Sequence, residues 1–282
     1  MTTGSLYNLL NKLHYAKKIH YVWLGGKKLS YDAQDFINGW KRKMPDYEIK
    51  CWNENSFDCD SIPWVKQAIE NKMWAFAADY IRLYALYTEG GIYMDTDVEV
   101  RRSFDDFLSY DFFSATEVHG DFETLGLPKL DNDFRPLVKG EAIPCFGILS
   151  AIMGACKGNT LIKDCLNYYN QRNFIDSSGS MDVKVIIPDV LGIIATNYGF
   201  RYIDETQYLN GNMVIFNSHV LVGAIKNLLE DSYAVHYCEG SWRKNWWPRR
   251  KKILDAINTS VRHLFGYHRK YNEENIAIRI KN

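Results

Sequence analysis

The chain has 282 residues, 46% of them apolar and 15% aromatic, and a formal net charge of zero. The apolar share supports a sizeable core and excludes a disordered chain, while the neutral balance gives no support for a nucleic-acid partner. The six cysteines form no CxxC pair, which argues against a zinc framework and fits core usage in a reducing compartment.

In chain order, Lys18–Trp23 (KIHYVW) reads as a first strand, closed by the turn residues LGG. Tyr31–Lys43 has helical spacing with Phe36, Ile37 and Trp40 on one face, and Met44-Pro45-Asp46 ends it. Tyr47–Trp52 reads as a second strand, and Trp64–Tyr87 as helix in one or two pieces. Gly90-Gly91 is a C-cap signal, followed by the strand Ile92–Met94. Strand, helix, strand, helix, strand is the pattern of an α/β sheet with parallel neighbours. Glu117–Lys139 reads as a long loop, Ile148–Gly154 as an apolar segment, Asn159–Arg172 as helix and Tyr233–His236 as a late strand.

The N-terminal stretch lacks the long apolar centre of a signal peptide, and no apolar run reaches the length of a membrane span. The expectation is an intracellular, cytoplasmic protein. From Ser241 to Asn282 there are 11 Lys/Arg against 3 Asp/Glu, a local balance of +8. Trp242, Trp246 and Trp247 precede a basic cluster and a helical face of Ile253, Leu254, Ile257, Val261, Leu264 and Phe265. Such a segment, residues 242–270, can lie on an anionic membrane surface as a peripheral anchor. It can equally pack on the domain with its basic face in water.

Asp-x-Asp occurs three times: Asp58/Asp60, Asp95/Asp97 and Asp131/Asp133. Chance alone predicts about one, so spacing cannot choose among them. Only Asp95/Asp97 follows a glycine-capped helix and an apolar strand, in the run GGIYMDTDVEV. Read as one continuous strand, residues 91–100 put Ile92, Met94, Val98 and Val100 on one face and Tyr93, Asp95, Asp97 and Glu99 on the other. The carboxyl end of such a strand is where open α/β sheets bind ligands, and hard cations favour carboxylate oxygens. A solvated strand end is the plain alternative.

The run AFAADYIRLYALYTEGGIYMDTDVEV (75–100) resembles the DxD region of glycosyltransferase family 32, which includes Och1-like and capsular polysaccharide glycosyltransferases. It is more distantly similar to the large clostridial glucosylating toxins. IHYVWLGG (19–26) resembles the family's first strand and nucleotide loop, AIMGACKGNTLIKDCLNYY (151–169) its middle section and HYCEGSW (236–242) its C-terminal motif. The resemblance implies a GT-A-like α/β fold, a mixed sheet flanked by helices, over residues 1–242. A basic, aromatic, helical extension would follow at 243–282. It implies Mn2+ (or Mg2+), a nucleotide-sugar donor and retention of anomeric configuration.

By that resemblance, Asp97 binds the metal, and Asp95 holds the ribose or the metal through water. Asp79 and Arg82, three apart on a helix, hold donor sugar hydroxyls and phosphate. Tyr93 lines the nucleotide pocket, and Trp23 stacks on the base. His236 approaches the metal or the diphosphate, and Ser241 and Trp242 contact the leaving diphosphate. No catalytic base or nucleophile is assigned. The expected acceptor is a glycan or lipid-linked oligosaccharide in bacterial surface polysaccharide synthesis, with UDP-hexose the favoured donor. A toxin-like transferase acting on a protein and a metal-dependent phosphoester hydrolase are the alternatives.

Overall fold

The computed structural model describes residues 16–238 and the strand residues 267–272 and 275–280. The chain divides into two compact units, Met1–Cys238 and Glu239–Asn282. In the second, β12 (Tyr267–Asn272) pairs antiparallel with β13 (Asn275–Ile280). The helix expected over 253–265 lies outside the described residues.

The first unit opens with β1 (Lys18–Val22), α1 (Tyr31–Lys43) and β2 (Glu48–Trp52), followed by α2 (Pro63–Glu70), α3 (Trp74–Glu89) and β3 (Gly91–Met94). β1 pairs in parallel with both β2 and β3, as the alternating pattern requires. The helix α1 starts where the Ser30 hydroxyl accepts from the Ala33 N–H, and it buries Ala33, Ile37 and Trp40. The helical stretch expected over Trp64–Tyr87, in one or two pieces, is two helices. Asn71 ends α2, and the chain passes through a left-handed Lys72 before α3 begins.

The chain then crosses back through β5 (Phe112–Val118), β6 (Phe146–Ile148) and β7 (Ile152–Ala155), and through α4 (Thr160–Asn170), capped by the Asn159 side chain. It continues through α5 (Ile187–Ala195), β8 (Gln207–Leu209) and β9 (Met213–Phe216). The main sheet runs β2-β1-β3-β7-β5-β9-β8, with β6 paired to β5. β7 is antiparallel to β3 and β9 is parallel to β5, so the sheet is mixed and flanked by helices. A second sheet joins β10 (Leu221–Val222), β11 (Ala234–His236) and β4 (Val98–Val100).

The sheet separates two apolar clusters. On one face, Tyr93 packs with Tyr80, Leu83 and Met153; on the other, Ile92 and Met94 pack with Trp40, Phe104 and Val214. Burying a side chain of this size contributes about 1.5–3 kcal/mol. α3 is enclosed on most of its surface, and the Asp79 and Arg82 it carries near its middle are both buried.

Among the described residues, no helix is long and apolar enough to cross a membrane.

Candidate functional site

Residues 91–100 are not one strand. β3 ends at Met94, Asp95–Asp97 form a turn closed by Val98 N–H to Asp95 C=O (3.1 Å), and β4 leaves in the other sheet. The pleat therefore does not align the two carboxylates. The turn does, with the Asp95 N–H held by the Ala151 carbonyl at 2.9 Å.

Four of the expected residues meet behind this turn. Arg82 Nη2 lies 3.1 Å from Asp79 Oδ1, and its Nη1 lies 3.4 Å from Asp95 Oδ1. Nη1 also donates to the Ser150 carbonyl at 3.0 Å, and the guanidinium sits 4.7 Å from the centre of the Tyr93 ring. The Tyr93 hydroxyl donates to Asp95 Oδ1 at 2.7 Å. Burial pushes the Asp79 carboxyl up to about 7, opposed by Arg82 and reinforced by Asp95. Burial works against the Arg82 charge, but Asp95, Tyr93 and Asp79 outweigh it and hold the guanidinium protonated.

In front of the turn stands His236. β11 pairs antiparallel with β4 so that His236 is opposite Val98, one residue beyond Asp97. The Tyr237 N–H donates to the Asp97 carbonyl at 3.0 Å and locks the two segments together. His236 Nε2 lies 3.1 Å from Asp97 Oδ1 and 3.9 Å from Asp95 Oδ2. Burial disfavours the imidazolium, yet the Asp97 carboxylate outweighs it and raises His236 well above its ordinary value.

Asp95, Asp97 and His236 each offer one ligand atom, all within 4.8 Å of one another. Two carboxylates and an imidazole, half-buried at a strand end, form a donor set that suits a divalent ion of the Mn2+ or Mg2+ kind.

The other two Asp-x-Asp pairs do different work. Asp58 Oδ1 accepts from the Asp60 N–H, and Asp131 Oδ1 accepts from the Asp133 and Arg135 N–H groups. Both are side-chain-capped turns in exposed loops.

Trp23 is not part of the network around Asp95. It follows β1, is half-buried, and donates from Nε1 to the Lys27 carbonyl at 2.6 Å. Its backbone N–H donates to the Trp52 carbonyl of β2 at 2.9 Å. Ser241 and Trp242 lie outside the described residues.

Two neighbours of the site carry no role in the sequence reading. Glu117, near the end of β5, is buried, and Cys238 lies two residues beyond His236; with His236 they form a second group of ligand atoms within 4.8 Å. A lone carboxylate closing the apolar strand FFSATEV was the available signal for Glu117. Cys238 sat unused inside HYCEGSW.

Residues 30–113 match the family model described as "Glycosyltransferase sugar-binding region containing DXD motif". A curated relative, inositol phosphoceramide mannosyltransferase 3 of Schizosaccharomyces pombe, is 27% identical over 112 residues. That alignment spans 38% of this chain and 29% of the relative, so the chain covers less than a third of that protein's length.

Among solved structures, the PaToxG glycosyltransferase has a TM-score of 0.43 at 18% identity, over 68% of this chain and 76% of that one. A glycosyltransferase involved in glycosylating the major capsid of PBCV-1 gives 0.43 at 13% identity, over 85% and 98%. Galactosyltransferase LgtC, solved with donor and acceptor sugar analogues, gives 0.43 at 12%, over 85% and 95%. At such scores the likeness carries no functional inference. The matched segment does hold Asp79, Arg82, Tyr93 and both aspartates of the turn. Over residues 30–113 the chain is thus similar to the sugar-binding region of the DXD-motif glycosyltransferases.

Proposed function

We propose that this protein is a metal-dependent glycosyltransferase moving a hexose from a nucleotide diphosphate sugar, UDP-hexose favoured, to a glycan or lipid-linked oligosaccharide acceptor. The observation that carries this reading is the continuous polar chain Asp79–Arg82–Asp95 behind the turn, meeting Asp97 and His236 in front of it.

Asp95, Asp97 and His236 would hold the cation, Mn2+ being the expected one. Bound there, it would neutralise charge developing on the leaving diphosphate. Arg82, held by Asp79, the Ser150 carbonyl and the Tyr93 ring, would orient Asp95 without itself moving. The Tyr93 hydroxyl takes one lone pair of Asp95 Oδ1 and thereby leaves Oδ2 facing His236. Asp79 would accept from sugar hydroxyls, its carboxyl pushed by burial up to about 7. Trp23 would stack on the base, and Ser241 and Trp242 would contact the diphosphate. We assign no catalytic base, in keeping with a front-face, retaining route.

The basic balance of residues 241–282 favours an acceptor at an anionic membrane surface and, with it, a place in bacterial surface polysaccharide assembly.

The test is donor hydrolysis with UDP-Glc, UDP-Gal, UDP-GlcNAc and GDP-Man in the presence of Mn2+, repeated on Asp97→Ala. Turnover of one donor, falling at least about 100-fold in the variant, is expected. No binding or turnover of any donor, or full metal-dependent activity in Asp97→Ala, overturns the proposal. Phosphodiester cleavage without a sugar nucleotide would instead identify a hydrolase.

A further inference from the structure

His236 has two ring nitrogens, and they face different groups. Nε2 faces Asp97 and Asp95. Nδ1 lies 3.3 Å from Cys238 Sγ, and that sulfur also lies 3.2 Å from the Gly223 carbonyl. Glu117 completes a second group with His236 and Cys238, all ligand atoms within 4.8 Å.

Two strands supply this second group, and a third lies beside it. Glu117 comes from β5, Gly223 follows β10, and Cys238 follows β11. A Cβ at Gly223 would stand 3.2 Å from Glu117 Cγ, 3.3 Å from Glu117 Oε1 and 3.0 Å from Leu149 Cδ1, so the glycine keeps room for the carboxylate. Cys238 adopts a left-handed backbone (φ 50°), uncommon for a residue with a side chain.

The donor types differ from those of the DXD turn. A thiol, an imidazole and one carboxylate are the ligands of Zn2+ rather than of Mg2+ or Mn2+. Zn–S and Zn–N bonds of about 2.3 and 2.05 Å at a tetrahedral angle place sulfur and nitrogen roughly 3.5 Å apart. The observed 3.3 Å separation needs almost no adjustment.

We propose that Glu117, His236 Nδ1 and Cys238 Sγ form a second, thiophilic cation site for Zn2+, and that its occupation withdraws His236 from the DXD site. Zn2+ binds the Cys238 thiolate and the Nδ1 lone pair, and the thiol proton leaves to solvent. A neutral imidazole carries one N–H and one lone pair. With Nδ1 metallated, the N–H must be on Nε2, where it donates to Asp97. With Nε2 serving a cation at the aspartates, the N–H is on Nδ1 and donates to Cys238, whose S–H passes on to Gly223. The two cations therefore compete for one histidine, and free Zn2+ is an inhibitor of the transferase. The inhibition rests on the function proposed above; the binding does not.

The test uses the full chain, freed of metal. Zn2+ affinity is measured by competition with a chromophoric chelator, and Co2+ serves as the spectroscopic probe. Wild type is expected to show a thiolate-to-cobalt charge-transfer band that Cys238→Ser lacks. Zn2+ affinity is expected to fall at least about tenfold in both Cys238→Ser and Glu117→Gln. Nitrogen-15 histidine spectra should show Zn2+ on Nδ1 of His236. Thermal melts establish that each variant is folded, and Glu117→Gln, which keeps the thiol, decides the matter if Cys238→Ser is not.

A charge-transfer band that persists in Cys238→Ser overturns the site. So does Zn2+ binding that survives both variants but is lost in Asp97→Asn, because the ion would then sit at the aspartates. If a donor turns over with Mn2+, Zn2+ should inhibit wild type at a concentration at least tenfold lower than Cys238→Ser, in line with the affinity change. Equal inhibition overturns the competition while leaving the site. If no donor turns over, the functional reading fails and the binding arms still decide the cation site.

Discussion

Replacing Arg82 by methionine keeps the bulk of a side chain enclosed in α3 and removes only its charge and donors. In the native fold Arg82 is 5% exposed and Asp79 6% exposed, so water does little to compensate either charge. Deleting one partner of such a pair costs about 3–5 kcal/mol, most of it the unpaired charge left behind. For a unit of this size that lowers Tm by roughly 6–20 °C.

The pH dependence makes the test specific. Asp79 titrates at about 7 in the fold against an ordinary 3.8, raised by burial over the opposition of Arg82. Between those values the folded chain holds a proton that the unfolded chain has lost, so this group's contribution to stability falls as pH rises, in wild type and variant alike. Above about 7 the wild-type contribution is flat. Without Arg82 the folded value moves higher still, and the variant continues to lose about 1.4 kcal/mol per pH unit. Urea unfolding at pH 6, 7 and 8 should therefore show a deficit that widens only above neutrality. Adding Asp79→Asn should abolish the widening and recover about 2 kcal/mol. A deficit under about 1 kcal/mol, or one independent of pH, would refute the argument that Arg82 is there to neutralise buried carboxylates.

Two further outcomes follow from the frame of the site. Gly91 has φ 105°, and a Cβ there would stand 2.7 Å from the Lys18 carbonyl oxygen. Gly91→Ala should cost about 2 kcal/mol or more in thermal unfolding, because β1 and β3 cannot separate without losing their pairing. Glu89, at the C-terminal end of α3, is held by Lys18 at 2.9 Å and Lys50 at 2.5 Å; burial opposes its charge, but the two lysines prevail and lower its pKa. Its stabilisation is present above the unfolded value of 4.5 and lost as pH falls through the lowered folded value. Glu89→Gln should thus cost about 1 kcal/mol at pH 7 and progressively less as the pH falls below 4.5 in parallel urea titrations.

Whatever depends on near neighbours was legible in the sequence. The helical spacing of Phe36, Ile37 and Trp40, the Met44-Pro45-Asp46 break and the Gly90-Gly91 stop are local decisions, and α1 and α4 form where they were expected, capped in the structure by Ser30 and Asn159. The placement of Asp79 beside Arg82 follows from a three-residue step on one helix. The mixed sheet, too, began from the alternating pattern of its first three strands.

Long-range pairing decided the rest. The alternation of apolar and acidic residues suggested one strand through 91–100, but Val98–Val100 finds its partner in β11 and leaves the first sheet. That departure makes Asp95–Asp97 a turn. It also brings His236, more than 130 residues away, within 3.1 Å of Asp97. Glu117 and Cys238 meet only because β5, β10 and β11 converge, and no local pattern carries that information. Sequence alone supplied the carboxylates and the helix pair behind them. The tertiary structure determined which way they face and which histidine they share, because strand pairing is chosen by contacts distant in the chain.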